Sequence, residues 1–254
     1  MSGAWRTDVG KVRFVNEDAV YYDERAGEMI LAMVADGMGG HQAGDVASRT
    51  AIDVIQRELR EVTSRTLAMD ARNYLEEAIL KANQVIYRRA QEDPQLSGMG
   101  TTIVVALISV DWGWIAHIGD SRAYAWDSSR LLPITADHSL VNELVKSGQI
   151  RADEAIRHPQ RNILVRALGT DLKVEVEFNS YQPQPDQLLL LCSDGLTTML
   201  SDEQISQILR GDGTLQDKAD RLLNQALEQG GEDNISLILF TPPSTSPDGR
   251  SVCR

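Results

Sequence analysis

The sequence Met29-Ile-Leu-Ala-Met-Val-Ala-Asp-Gly-Met-Gly-Gly-His41 contains the longest apolar stretch of the chain. Its first seven residues are all apolar, and a run of this length suits a strand that is buried on both faces. A helix that crosses a bilayer needs about 20 such residues, so the run does not predict a membrane segment. Asp36-Gly37 follows the run directly, which places a carboxylate at the end of a buried strand.

Similar apolar segments recur along the chain and predict further strands. They are Ala19–Tyr22, Thr101–Ser109, Trp112–Ile118, Ala123–Trp126, Val174–Tyr181, Leu188–Cys192 and Ile235–Phe240. The second and third of these are separated by only a few residues, which predicts an antiparallel hairpin.

Apolar residues at helical spacing predict helices over Gly44–Val62 and Asp70–Ala90. Near the C-terminus, Ser201-Asp-Glu-Gln204 has the pattern of a capping box, and another amphipathic helix follows it. Strands and helices come in blocks instead of alternating strictly. We therefore predict an α+β fold in which two packed antiparallel β-sheets, a central β-sandwich, are flanked by pairs of α-helices.

We predict a single domain over residues 1–240, followed by a tail. Within this domain, the short and polar pattern of residues 137–169 indicates an inserted surface subdomain with two small helical pieces, around Leu140–Ser147 and Asp153–Ile156. Residues 241–254 are rich in proline and serine, a composition typical of disordered segments.

Composition excludes several classes of protein. The 254 residues include 25 Lys and Arg against 37 Asp and Glu, which gives a formal net charge of −12. A surface this acidic repels nucleic acid and anionic lipid, so we expect neither as a partner. The two cysteines form no disulfide framework and the N-terminus has no secretory pattern, so we expect a cytoplasmic protein without membrane insertion.

Acidic residues beside glycine lie at the ends of several predicted strands. These are Asp36-Gly37, Gly119-Asp120, Asp194-Gly195 and Gly231-Glu232-Asp233, with Asn16-Glu17-Asp18 as a fifth acidic site. Carboxylates that converge on one sheet edge repel each other and require cations, and hard oxygen ligands favour Mg²⁺ or Mn²⁺. The alternative, that each Asp-Gly is only a turn, fits any single instance better than it fits all of them.

Seven motifs in order identify a resemblance that runs from about Thr7 to Phe240. They are Arg13-Phe-Val-Asn-Glu-Asp18, Val34-Ala-Asp-Gly-Met-Gly-Gly-His41, Gly98-Met-Gly-Thr-Thr102, Ala116-His-Ile-Gly-Asp-Ser-Arg122, Thr135-Ala-Asp-His-Ser139, Cys192-Ser-Asp-Gly195 and Gly231-Glu-Asp-Asn234. The chain resembles the metal-dependent PPM/PP2C protein phosphatases, most closely the compact bacterial PrpC/Stp type of serine/threonine phosphatase.

The resemblance implies a site that holds two Mn²⁺ or Mg²⁺ ions. Asp36 matches the aspartate that bridges both ions, and Gly37 matches the residue that offers a carbonyl oxygen. Asp194 and Asp233 match ligands of the second ion, and Asp18 matches an outer carboxylate that Glu17 assists. Bacterial members can hold a third ion, for which Asp120 and Asp194 are the matching ligands.

The implied reaction is direct attack of a metal-bridging hydroxide on phosphorus, with Arg13 at the position of the phosphate-binding arginine. One departure concerns the leaving group. Animal-type enzymes have a histidine after the Asp-Gly, where this chain has Met38, whose thioether cannot donate a proton. The proton then comes from His41, a metal-bound water or solvent, and His41 is equally compatible with a helix-entry or substrate-contact role.

The resemblance further implies a monomeric enzyme that dephosphorylates phosphoserine and phosphothreonine proteins, including a membrane Ser/Thr kinase that it counteracts. Residues 137–169 match the variable flap of the family. His158, Arg161 and Arg166 there are candidates for contact with phosphopeptides, against a solvated face as the alternative. Two rival functions stay open: a phosphoprotein-binding module without turnover, and a divalent-cation binder that would leave Arg13 without a role.

Overall fold

The computed structural model describes residues 2–25, 29–40, 43–60, 62, 64–155, 158–184, 186–245 and 251–252. The strands are β1 (Gly3–Asp8), β2 (Asp18–Arg25), β3 (Met29–Met38), β4 (Gly100–Thr101), β5 (Ile103–Ser109), β6 (Gly113–Ile118), β7 (Arg122–Trp126), β8 (Leu131–Pro133), β9 (Glu177–Tyr181), β10 (Leu188–Cys192), β11 (Ile235–Phe240), β12 (Ser244–Thr245) and β13 (Ser251–Val252). The helices are α1 (Ala43–Arg60), α2 (Ser64–Glu92), α3 (Leu140–Lys146), α4 (Ala152–Ala155), α5 (Asp194–Met199), α6 (Asp202–Arg210) and α7 (Leu215–Glu228).

Among the described residues, two large antiparallel sheets form the core, and β12 pairs with β13 in a separate two-stranded sheet. One sheet has the order β1-β11-β10-β7-β8, and the other has the order β2-β3-β5-β6-β9, with β4 paired to the end of β3. The predicted hairpin is confirmed, because β5 pairs with β6 in an antiparallel register that sets Ile103 opposite Ile118.

Alternate residues of the central strands face different layers of the fold. Ile30, Ala32 and Val34 of β3 pack between the sheets against Leu189 and Leu191 of β10. The intervening residues of β3 face α1 and α2, and the opposite face of β10 packs against α5, α6 and α7. Both faces of the sheets are therefore buried, which explains the continuous apolar runs and confirms the predicted layers of helices around a β-sandwich.

Several elements differ from the sequence prediction. Strand β1 lacks an apolar run and is held by antiparallel pairing along β11, and β8 is a three-residue edge strand. Helix α5 begins at Asp194, where the Asp-Gly pair resembled a turn. Helix α2 starts earlier than predicted and has non-helical backbone angles at Asp70.

The segment 137–169 carries the two small helices α3 and α4, close to the predicted positions. Ser139 caps α3 by accepting a hydrogen bond from the backbone of Asn142. Within the tail, Ser244–Thr245 pairs with Ser251–Val252. The limits of the domain and the disorder of the tail stay predictions. Among the described residues, no helix is both long and apolar enough to cross a membrane.

Candidate metal centre

The acidic residues come from neighbouring strands of both sheets. Asp18 begins β2 and lies opposite Asp36 of β3 in the antiparallel register. In the other sheet, Asp194 follows β10 directly and Asp233 lies two residues before β11. The structure therefore brings these four predicted residues to one edge of the β-sandwich, where the two sheets meet.

Direct contacts tie the carboxylates together. The side chains of Asp36 and Asp194 interact, since the charge of Asp194 contributes to the raised pKa of Asp36. From the strand end next to Asp194, the hydroxyl of Ser193 donates to Asp18 Oδ2 at 2.8 Å. Several buried carboxylates that repel one another cannot all stay ionised without a cation, so the cluster requires either protons or metal ions.

Burial and mutual repulsion raise the proton affinity of the cluster. Burial, reinforced by the charges of Asp194 and Asp233, raises the pKa of Asp18 to about 7. Burial and the charge of Asp18 raise the pKa of Asp36 well above its usual range, and burial beside Asp233 raises the pKa of Asp194. Such shifts mark a site built to hold positive charge between its carboxylates.

Two carboxylate oxygens of this acidic site lack a hydrogen-bond partner. Asp18 Oδ1 and Glu17 Oε1 are buried and have no hydrogen-bond partner. A buried carboxylate oxygen without a partner is costly, and a bound cation supplies the missing interaction. The donor set is all oxygen, which fits Mg²⁺ or Mn²⁺ better than zinc.

Gly37 occupies a position that excludes any side chain. A Cβ there would overlap the backbone carbonyl of Gly44 and approach the carbonyl oxygen of Glu17 at 2.6 Å. The backbone of Gly37 also donates to that Glu17 oxygen at 3.2 Å. Close packing of three backbone segments thus holds the residue that follows Asp36.

Arg13 lies beside the cluster. Its Nη2 donates to Asp233 Oδ2 at 2.8 Å, and both side chains are partly exposed. The guanidinium therefore reaches the acidic cluster from the solvent side, where it can meet an incoming anion.

Asp120 follows β6 in the turn to β7 and also faces the cluster. Burial, then the charges of Asp194 and Asp137, raise the pKa of Asp120 to about 7. Its repulsion in turn contributes to the raised pKa of Asp36. Asp120 thus extends the acidic cluster toward the flap.

Three residues that support the site were not singled out from the sequence, although each belongs to a quoted motif. Asn234 accepts from the backbone of Glu17 at 2.8 Å and donates to the carbonyl oxygens of Val9 and Val15, which ties β11 to the segment before β2. Thr102 Oγ1 accepts from the backbone of Asp36 at 3.0 Å. Ser193 holds Asp18, and a hydroxyl beside the Asp-Gly pair was the only signal for it.

The leaving-group step concerns the residues that follow Asp36-Gly37. His41 lies outside the described residues. Met38 belongs to β3, opposite Gly100 of β4, and is half-buried.

A cleft of about 1280 Å³ opens from the cluster between the flap and helices α5 and α6. Asp120 and Asp194 line one end of it, and Val141, Asn142 and Arg161 of the flap line its side. Of the three flap residues considered for phosphopeptide contact, Arg161 lines the cleft, whereas Arg166 lies 3.5 Å from Glu175 in an ion pair.

Comparison with known proteins agrees with this geometry. Residues 11–239 match the family model described as protein phosphatase 2C. The chain is 41% identical over 239 residues to the serine/threonine phosphatase stp of Listeria monocytogenes. The matched region covers 94% of this chain and 95% of that protein.

Solved structures show the same fold. The serine/threonine phosphatase Stp1 from Staphylococcus aureus superimposes with a TM-score of 0.87 at 38% identity, over 94% of both chains. The catalytic domain of the phosphatase PstP, solved in complex with two manganese ions, superimposes with a TM-score of 0.81 at 34% identity, over 93% of this chain and 96% of that one. The chain therefore belongs to the protein phosphatase 2C family of metal-dependent phosphatases.

Proposed function

We propose that this protein hydrolyses phosphoserine and phosphothreonine in other proteins and that it uses Mn²⁺ or Mg²⁺ held by the acidic cluster. The observation that carries the proposal is the convergence of buried carboxylates from both sheets, with unpartnered oxygens, next to an arginine. The relatives named above are described as serine/threonine phosphatases, which supports the same substrate class.

Each carboxylate has a proposed role in holding the ions. Asp36 lies opposite Asp18 and interacts with the charge of Asp194, so it would contribute to holding two ions, and the carbonyl of Gly37 lies next to it in the chain. Asp194 and Asp233 would hold the second ion. Asp18 would be an outer carboxylate of the site, and Asp120 with Asp194 would hold a third ion. When bound, such ions activate water as a nucleophile and stabilise charge on the phosphoryl group.

Arg13 binds the phosphoryl group in this proposal. Its guanidinium lies at the mouth of the cluster, and its planar set of N–H donors matches two phosphate oxygens at once. Asp233, its present partner, would turn to the ion, and the guanidinium would then be available to the substrate. The residue orients the phosphoryl group and stabilises the charge that it carries during transfer.

The leaving alkoxide requires a proton, and this chain differs from the animal-type pattern at that step. Met38 cannot donate a proton, so the donor is His41 or water. The two possibilities differ in substrate dependence, because aryl phosphates need less protonation of the leaving group than phosphoserine does.

The cleft beside the cluster gives a phosphorylated segment room to bind. Its walls come from the flap and from α5 and α6, and Arg161 adds a positive charge on the flap side. We propose that a phosphorylated loop or tail lies in this cleft with its phosphate toward Arg13. Proteins phosphorylated by Ser/Thr kinases, including a membrane kinase that this enzyme counteracts, are the proposed partners.

The test is hydrolysis of a phosphothreonine peptide by the purified protein with Mn²⁺, with Mg²⁺ and with excess chelator. We expect phosphate release that requires a divalent ion and is lost in Asp36→Ala and Asp194→Ala. Asp111→Asn serves as a control, because Asp111 is exposed in the turn between β5 and β6. Release that survives chelation or either alanine substitution would refute the metal-dependent reaction. Binding of several phosphopeptides without turnover would favour the binding-module alternative.

A further inference from the structure

A second group of titratable residues lies behind Asp120, outside the acidic cluster. His117, His138 and Glu177 bring ligand atoms within 4.8 Å of one another. Both histidines are buried, with 0% and 1% of their surface exposed, and their rings stack at 4.5 Å with an interplanar angle of 19°. None of these three residues has a role in the reaction described above.

The hydrogen bonds of His138 determine which nitrogen carries its proton. The backbone N–H of Gly119 donates to His138 Nδ1 at 3.2 Å, so Nδ1 has no hydrogen. In the neutral ring the proton is then on Nε2, which lies 3.1 Å from Glu177 Oε2 and donates to it. Burial lowers the pKa of His138, which agrees with a neutral ring.

This arrangement does not suit a transition metal, although the residue types do. A metal would need the lone pair of His138 Nε2, and that atom carries the proton. The rings of His117 and His138 are stacked and nearly parallel, so the nitrogen lone pairs of the two rings do not converge on one ion. The group is instead a hydrogen-bonded relay from Glu177 through His138 to Gly119.

Gly119 is the residue on which the relay acts, and it immediately precedes Asp120. His138 contacts both backbone polar groups of Gly119. Its backbone N–H donates to the carbonyl oxygen of Gly119 at 2.9 Å, and its ring Nδ1 accepts from the backbone N–H of Gly119. Gly119 has a φ of +102°, in the region that L side chains rarely adopt. Glycine adopts this conformation without strain, and the two hydrogen bonds with His138 fix the position of the turn.

The turn is also held from the side of the acidic cluster. Thr102 packs against Gly119, and its hydroxyl lies 2.7 Å from Ser121 Oγ and accepts from the backbone of Asp36. The backbone carbonyl of His138 accepts from Val165 of the flap at 2.9 Å. His138 therefore joins the base of the flap to the turn that presents Asp120.

We infer that His138, oriented by Glu177, is a positioning residue that holds the Gly119 turn so that the carboxylate of Asp120 faces Asp36 and Asp194. The inference rests on the proposed function, because it concerns the aspartate assigned there to a third ion. Supporting residues of this kind change metal affinity or activity by roughly 10- to 100-fold when they are removed.

The test compares Mn²⁺ binding in variants of the full chain by calorimetric titration. Asp120→Asn first identifies the ion that depends on Asp120. His138→Ala is expected to weaken the same ion by roughly tenfold or more, with the remaining ions bound as in the wild type. His138→Asn places an amide oxygen near the position of Nδ1, so it is expected to recover part of the affinity. Unchanged Mn²⁺ binding in His138→Ala, when Asp120→Asn has lost an ion, would overturn the inference.

A second measurement keeps the inference falsifiable if His138→Ala does not fold. Long-range ¹H–¹⁵N spectra of the wild-type protein are expected to show His138 with a proton on Nε2 and none on Nδ1. Glu177→Ala should leave the protein folded, because Glu177 is partly exposed, and should shift the resonance of the Nε2 proton while Nδ1 stays unprotonated, since Gly119 still donates to Nδ1. A proton on Nδ1, or loss of the Nε2 proton on addition of Zn²⁺, would contradict the relay. Both readouts are independent of phosphate release, so failure of the proposed function leaves them interpretable.

Discussion

Replacing Asp18 by asparagine should stabilise the metal-free protein and weaken its response to metal. Asp18 is 6% exposed, and its pKa rises from 3.8 to about 7 on folding. Because the folded pKa is raised, the folded state binds the proton more tightly than the unfolded chain. Stability is then highest below pH 3.8 and decreases as the pH rises toward about 7.

The size of the effect follows from the same two values. A tenfold difference in proton affinity corresponds to about 1.4 kcal/mol. Ionisable Asp18 therefore destabilises the metal-free fold by about 2 kcal/mol at pH 5 and by about 4 kcal/mol at pH 8. An asparagine removes the charge and keeps an oxygen that accepts from Ser193. Asp18→Asn should increase the free energy of unfolding by at most these amounts.

The assay is urea unfolding in chelator at pH 5 and pH 8, followed by the same experiment with saturating Mn²⁺. With Mn²⁺ the wild type should become the more stable protein, since ions that bind the folded state stabilise the wild type more than the variant. Asp111→Asn, which changes an exposed carboxylate, should leave both measurements unchanged. A variant that is less stable than the wild type in chelator at pH 8, or a difference that does not depend on pH, would show that Asp18 does not have a raised pKa in the folded protein.

Three further predictions concern the neighbouring residues. Arg13→Lys should reduce kcat for a phosphothreonine peptide by roughly a hundredfold, since an ammonium cannot bind two phosphate oxygens as a planar fork. Mn²⁺ binding by this variant, measured by calorimetry, should be unchanged. Gly37→Ala should lower the free energy of unfolding in urea by about 1–3 kcal/mol through overlap with a backbone carbonyl, whereas Gly40→Ala, which meets no atom within 4 Å, should not. His41→Ala should slow hydrolysis of phosphoserine peptides more than that of aryl phosphates, whose leaving groups need little protonation; equal losses on both would exclude His41 as the proton donor.

Much of the fold could be predicted because burial on both faces leaves a strong sequence signal. Met29–Ala35 is apolar throughout, since alternate residues face the opposite sheet and the helices. Strand β1 has no such signal, because it is an edge strand defined by its pairing with β11. Helix α5 was missed because its first turn, Asp194-Gly195, has the composition of a loop.

The acidic residues of the site could also be predicted, since each lies at the end of a recognisable strand. The sequence could not show which residues meet, because β2 and β3 belong to a different sheet from β10 and β11. Contacts such as Asn234 with the backbone of Glu17 join positions 217 residues apart. The contacts of His138 with Glu177 and Gly119 were equally hidden, because they join residues that are 39 and 19 positions apart in the sequence.

The central claim is that the carboxylates of the two sheets form one site for divalent ions. Calorimetric titration of Mn²⁺ into metal-free wild type and Asp36→Asn tests it most directly. We expect the wild-type chain to bind at least two ions and Asp111→Asn to bind the same number. Asp36→Asn should lose the tightest binding. An Asp36→Asn variant that binds as many ions as the wild type, with the same affinity, would contradict it.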